Sequence, residues 1–269
     1  MEIGPRVNGE VISADSRHVY RQMDIGTNKP TAEECAAVPH HLLNLREPHE
    51  SFSLAEYVKL VREVIGEIQS RGKTPMLVGG TGQYVRAVLE GWQVPEVPPN
   101  DAIRDKWLAF EKTHGQEALF AELIGRDAQS AESIDQRNVR RVVRALEVME
   151  VTGQKWSDLQ RRQPLELDVQ MHYVNLKREI LYSRADARIL KMLGQGWLPE
   201  CEALLRFLEA KGFGYDAAMK LPAMSSLGYR ELCAVTRGEM GLDAAIEQIK
   251  HETRRFIRMQ DTWFRKDVR

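Results

Sequence analysis

The chain has 269 residues, 43% hydrophobic and 29% charged, with a formal net charge of −1. That length suits one good-sized domain or a domain carrying an insertion, and the composition is that of a globular protein. No apolar run approaches the ~18 residues of a membrane helix, and no signal-peptide pattern opens the chain. A whole-chain polycation is likewise excluded.

Residues 10 to 13 read as a short buried strand that runs straight into Asp15-Ser16. The polar turn Asp24, Thr27 and Lys29 follows, with Lys29 read either as a phosphate contact or as a solvated loop lysine. "HLLNL" at 41 to 45 is a second strand candidate. Ser53 has the character of an N-cap. Leu54, Tyr57, Val58, Val61, Val64, Ile65 and Ile68 then recur at helical spacing up to a stop near Gly72. "TPMLVGGTGQY" is a strand, a pair of glycines and a helix start. Strand, helix, strand, glycine turn and helix form the grammar of a parallel α/β sheet, in which ligands bind beyond the carboxyl ends of the strands. Asp15 and Gly79-Gly80-Thr81 both fall there.

"VPEVPPND" at 94 to 101 is a Pro-rich break, and helical patterns continue from it to about residue 163. "DVQMHYVNL" predicts one more strand at about 169 to 176, after which helices fill the chain, the last from about 242 to 264. The expected organisation is an α/β core, residues 1–95 and 168–269, interrupted by a helical insertion over 96–167. Basic residues cluster locally. "RNVRRVVR" holds Arg137, Arg140, Arg141 and Arg144, and the stretch from Arg254 to Arg269 has six basic residues against Asp261 and Asp267. Such stripes fit a polyanion or two solvated helix faces. Cys35, Cys201 and Cys233 are scattered and odd in number, which points to a reducing compartment without a disulfide framework. Cys35 with His40 and His41 is a weak zinc candidate.

Five motifs, "ADSRHVYRQMDIGTNKP", "MLVGGTGQYVRAVLEG", "RNVRRVVRALEVMEVTG", "LGYRE" and "TRRFIRMQDTWFR", stand in this order. In that order the chain resembles the tRNA dimethylallyltransferases, also called tRNA isopentenyltransferases. The resemblance runs from Gly9 to Arg265. It implies a P-loop NTPase-like parallel sheet with a helical insertion that grips the tRNA anticodon stem. The implied reaction moves the dimethylallyl group of dimethylallyl diphosphate onto N6 of the adenosine 3′ of the anticodon. The implied metal is Mg2+, with no ligand residue assigned. The implied setting is cytoplasmic and membrane-free, with the enzyme a monomer.

The resemblance also assigns residues. Asp15 matches the catalytic aspartate, a role that suits an amine needing a proton acceptor; alone, it reads as a helix-capping strand-end Asp. Thr81 matches a position near the reacting adenosine, or caps the following helix. Ser16, Arg17 and His18 match the segment that handles the flipped nucleotide, with His18 where the family usually has Gln. Arg188 and Arg184, one helical turn apart, match the diphosphate-binding arginines. Arg140, Arg141 and Arg144 fall in the insertion that holds RNA. Tyr229, Arg258, Gln260, Thr262, Trp263 and Arg265 match the tRNA-contacting C-terminal segment. Arg258 and Met259 replace the family's usual Lys and Arg, which predicts weaker RNA contacts there.

In this family a first strand and a loop G-P-T-x-S/A-G-K-S/T precede the strand that leads to Asp15. Here "MEIGPRVN" stands before it, with Gly4-Pro5 as the trace of that loop, and no G-x-x-x-x-G-K-[ST] occurs. Three expectations follow: a phosphate loop lying outside the written sequence, with an open sheet edge prone to aggregation if the chain is made as written, an inactive RNA-binding remnant, or an active enzyme with a rearranged diphosphate site. A relative acting on free adenine nucleotides has no need of the arginine-rich insertion, and a P-loop small-molecule kinase is excluded by the absent loop.

Overall fold

Strand β1, Gly9–Ser13, buries four of its five residues, as a central strand covered on both faces does. It lies at the centre of a three-stranded parallel sheet of order β2-β1-β3 in the computed structural model, which describes residues 2–163 and 166–265. β2 is His40–His41 and pairs Val11 with His40 and Ile12 with His41. β3 is Thr74–Val78 and pairs with β1 from Gly9↔Thr74 to Ser13↔Val78. Because the strands are parallel, the segments leaving β1 and β3 emerge on the same side.

The sheet differs from the sequence reading in three places. β2 stops at His41 because Leu42 and Asn44 take left-handed backbone conformations (φ 63 and 55), which no strand continues. The strand predicted at 169 to 176 is not formed among the described residues. Tyr173 instead stacks on Phe264 (5.8 Å between rings) and donates to Asp261 (3.2 Å), and Val174 lies open to solvent. Gly4-Pro5 forms no phosphate loop, since both residues lie in helix α1, Ile3–Arg6.

Around the sheet run α2, Ala32–Ala37, which opens with a Thr31–Glu34 capping box, then α3, Leu54–Ser70, and α4, Gly82–Leu89. Helices α5, Asp101–His114, α6, Gln116–Arg126, α7, Ala128–Ser133, α8, Val139–Thr152, and α9, Trp156–Leu159, follow. The chain closes with α10, Arg178–Gly194, α11, Trp197–Ala210, α12, Tyr215–Ala218, a 3₁₀ turn at Ala223–Ser225, α13, Tyr229–Thr236, and α14, Leu242–Phe264.

The chain divides into two compact units. One comprises Met1–Ser53, Lys59–Arg86 and Leu167–Arg269, and the other Leu54–Val58 and Ala87–Glu166. The second unit begins before the Pro-rich break because Gly91, Trp92 and Gln93 are tied to residues 161 to 163. Trp92 bridges Arg162, Gln93 N donates to the Arg161 carbonyl (2.8 Å), and Gln163 N donates to Gly91 (2.7 Å).

Each unit has its own core. In the first, Val19, Met23, Ile189, Trp197, Leu204, Tyr229 and Ile249 are buried together. In the second, Trp107, Leu119, Leu123, Val142 and Leu146 fill the space between α5, α6 and α8. A fully buried carboxylate, Glu147, anchors the second core: it receives Arg104 Nε (2.9 Å), Arg144 Nη1 (2.8 Å) and the Asn100 backbone N–H (2.6 Å). Burial works to raise its pKa, and these donors overcome that and hold it below the ordinary glutamate value.

Candidate active site at the strand exits

The exits of β1 and β3 are stitched together by the backbone. Ala14 N donates to the Val78 carbonyl (2.7 Å), and Thr81 N donates to the Ala14 carbonyl (3.0 Å). The approach is so close that a Cβ on Gly79 would sit 2.3 Å from the carbonyl carbon and oxygen of Ala14. Only glycine fits, which is the physical reason for the first glycine of the turn.

Asp15 leaves this junction with its carboxylate one-third exposed. Oδ1 accepts the Arg17 backbone N–H (2.8 Å), an Asx-type turn that fixes its orientation. Oδ2 faces His18 Nε2 at 4.0 Å. Thr81 lies across from it: its hydroxyl oxygen accepts the Ser16 backbone N–H (3.1 Å) and lies 3.4 Å from Ser16 Oγ. The bond between Ser16 and Thr81, 65 residues apart in sequence, makes one constellation of these two and Asp15.

His18 is turned inward. Its Nδ1 meets Ser13 Oγ (3.1 Å) and its Nε2 donates to the Thr27 carbonyl (3.1 Å), so both ring nitrogens are occupied by the protein. Arg17 Nη1 donates to the Pro222 carbonyl (2.7 Å). Lys29 is neither a phosphate ligand nor a solvated lysine. It is buried, and its ammonium donates to the Tyr20 carbonyl (2.6 Å), Asp24 (2.5 Å) and Asn44 Oδ1 (2.7 Å), with burial pushing its pKa down.

The end of α14 covers the glycine turn. Gln260 Nε2 donates to the Gly80 carbonyl (3.0 Å), and a Cβ on Gly80 would strike that amide. Trp263 packs on Gly82 at a distance that leaves no room for a Cβ, and the Arg86 guanidinium lies over its ring, 4.8 Å from the centroid. Arg86 carried no signal in the sequence reading, although it stands one helical turn beyond Gly82. Arg258 reaches Tyr182 (3.2 Å), Arg265 pairs with Asp261 (2.7 Å), and Thr262 bonds back to the Arg258 carbonyl (2.9 Å).

Two expected RNA contacts are corrected. Tyr229 is fully buried, donates its hydroxyl to Glu200 (2.6 Å) and packs edge-on against Trp197, so it is a core residue. Arg144 is committed to Glu147 and to the Val97 carbonyl (2.7 Å) and acts as an internal strut. Arg140 and Arg141 are exposed at the start of α8. Arg184 and Arg188 are exposed on α10, on the side away from Asp186, whose carboxylate pairs with Arg254 of α14. The zinc candidate dissolves: His40 Nδ1 donates to the Val38 carbonyl (2.6 Å), and His41 pairs with Glu10 (2.6 Å). Among the described residues no group of three His, Cys, Asp or Glu side chains converges on a metal position.

A parallel α/β core with a carboxylate at one strand exit and a glycine turn at the next, together with a separate compact helical unit, defines a P-loop NTPase-like protein. The chain belongs to the IPP transferase family, whose model matches residues 18–267. It is 47% identical over 261 residues to a tRNA dimethylallyltransferase of Chloroflexus aggregans, covering 97% of this chain and 86% of that one. It is 42% identical to one from Dehalococcoides mccartyi, covering 98% and 79%. Among solved structures it is similar to the full-length tRNA isopentenylpyrophosphate transferase of Bacillus halodurans (TM-score 0.65, 37% identity, 98% of this chain and 80% of that one). It is also similar to a eukaryotic dimethylallyltransferase acting on tRNA (TM-score 0.79, 26% identity, 97% and 65%). No helix among the described residues is long and apolar enough to cross a membrane.

Proposed function

We propose that this chain transfers the dimethylallyl group of dimethylallyl diphosphate to N6 of the adenosine 3′ of a tRNA anticodon. The observation that carries the reading is the constellation of Asp15, Ser16 and Thr81 at two joined strand exits, closed over by Gln260 and Trp263. The family and its curated relatives supply the reaction class.

In the reaction the N6 lone pair forms a bond to C1 of the dimethylallyl group. The C1–O bond breaks, and diphosphate leaves with that electron pair. Asp15 accepts the N6 proton. Its Oδ1 is held by the Arg17 N–H, which leaves Oδ2 to face the amine. The base reaches this oxygen only when it is extruded from its stack. Arg184 and Arg188 are the candidates for the growing charge on the leaving group. Arg140, Arg141, Arg258 and Arg265 are the candidates for tRNA phosphates. Mg2+ bound chiefly by substrate phosphates needs one or two carboxylates. Asp15 is the one carboxylate in this constellation, so a Mg2+ here would be held by Asp15 and by substrate phosphates rather than by a protein cage. A single chain acting in the cytoplasm completes the reading.

The test is transfer of labelled dimethylallyl diphosphate to an anticodon stem-loop carrying adenosine at the 3′ neighbour of the anticodon. Wild type is expected to label the stem-loop, and Asp15→Asn to lose ~10²-fold or more in rate with stem-loop binding intact. Equal rates for the two would remove Asp15 from the chemistry.

A further inference from the structure

One carboxylate outside the constellation is unusually well held. Glu200, in the first turn of α11, accepts hydrogen bonds from three consecutive backbone N–H groups of the turn after β1. Asp24 N (2.8 Å) and Ile25 N (2.7 Å) both reach Oε2, and Gly26 N (3.0 Å) reaches Oε1. The Tyr229 hydroxyl adds a fourth donor to Oε1 (2.6 Å). Successive N–H groups pointing into one concavity form an anion-binding nest, here filled by a side chain of the same molecule. The N-terminal end of α11 favours a negative charge at the same place. Trp197 closes the arrangement: its indole lies against Gly26 so closely that a Cβ there would sit 1.9 Å from Nε1.

The captured turn has one consequence at the active site. Its next residue, Thr27, presents the carbonyl that takes the His18 Nε2–H. A carbonyl can only accept, so this contact requires the proton on Nε2 and leaves Nδ1 of a neutral ring to accept from Ser13 Oγ–H. The ring so fixed presents Nε2 4.0 Å from Asp15 Oδ2. Resting on the transfer reaction proposed above, we infer that Glu200 is a positioning residue, which holds the 24–27 turn so that Thr27 fixes His18 in one tautomer beside Asp15. Glu200 touches no reacting atom. It acts through two intermediaries, the turn and the imidazole.

The chemistry requires the carboxylate rather than a side chain of similar shape. Glutamine has one acceptor oxygen, and its NH2 would face the N–H groups that Glu200 now accepts from. Burial, and then the charge of Glu200, push the Tyr229 hydroxyl pKa far up, which keeps that fourth donor protonated.

The experiment compares wild type, Glu200→Gln, Tyr229→Phe and Cys201→Ala. The last changes a fully buried neighbour in α11 without touching the carboxylate. The readouts are kcat for stem-loop labelling, stem-loop Kd, and the ring nitrogen signals of His18 by NMR. Glu200→Gln is expected to lower kcat roughly ten- to a hundredfold, with Kd unchanged, and to replace the single Nε2–H tautomer by an averaged signal. Tyr229→Phe, which removes one donor of four, is expected to lower kcat a few fold, and Cys201→Ala to leave it unchanged. An unaltered kcat and His18 signal in Glu200→Gln overturns the inference, as does a kcat loss that Cys201→Ala reproduces. Should Glu200→Gln not fold, Tyr229→Phe decides by the same two readouts. Should wild type transfer nothing, the proposed reaction fails, and the His18 signals alone decide whether Glu200 sets the tautomer.

Discussion

Replacing Glu10 by Gln removes a carboxylate that ties β2 and the turn between α3 and β3 to the central strand. Oε1 pairs with Lys73 (2.8 Å), and Oε2 with Arg71 (2.7 Å) and His41 (2.6 Å). The Lys73 hydrogen bond above all, and those of His41 and Arg71, outweigh burial and lower the carboxyl pKa from 4.5 to about 2. A folded pKa below the unfolded one gives stability that is fully present above pH 4.5 and lost as pH falls toward 2. At ~1.4 kcal/mol per pH unit the gap corresponds to ~3 kcal/mol. The Lys73 and Arg71 side chains are 35% and 45% exposed, so solvent screens the pairing and the expected contribution is about 2 kcal/mol. Urea unfolding of wild type and Glu10→Gln from pH 7 to pH 3 measures it. The variant is expected to be less stable at pH 7, by about 2 kcal/mol, and the difference to shrink to roughly half by pH 3. A difference that stays constant across that range would refute the assignment of the depressed pKa to Glu10.

Gly79→Ala forces the β1 and β3 exits apart and is expected to cost about 2 kcal/mol of stability together with most of the transfer activity, read by thermal unfolding and labelling. Arg141→Ala is expected to weaken stem-loop binding uniformly across sequences and to flatten its salt slope by about one contact, and an unchanged slope would return this arginine to a solvated face. Arg144→Ala is expected instead to destabilise the helical unit by about 2 kcal/mol, because Glu147 stays buried with fewer donors, while the salt slope of RNA binding holds.

The elements legible in the sequence were those whose pattern is local. β1, α3, β3 and α14 announce themselves by apolar runs, helical spacing and bounding turn residues, and each forms where the pattern places it. β2 could not be bounded that way, since its end is a left-handed Leu42, a conformation its side chain gives no hint of. The strand pattern at 169 to 176 has the right alternation, but among the described residues no strand accepts it, and Tyr173 finds α14 instead. Asp15 and Thr81 were legible because each sits at a strand exit. Tyr229 and Arg144 carried a motif, yet a motif does not say which way a side chain turns, and both turn inward. Glu200 had no local signature at all, because its four donors lie at residues 24 to 26 and 229.

The bond between Gln260 and Gly80 spans 180 residues. The strand exits that hold Asp15 and Thr81 are synthesised before the helix end that packs on Gly80 and Gly82. At ~5–20 residues per second a ribosome needs ~10–40 s to travel between the two. For that interval the nascent chain carries its glycine turn without the amide and the tryptophan that pack on it, so the order of translation leaves that turn uncapped until the end of α14 is made.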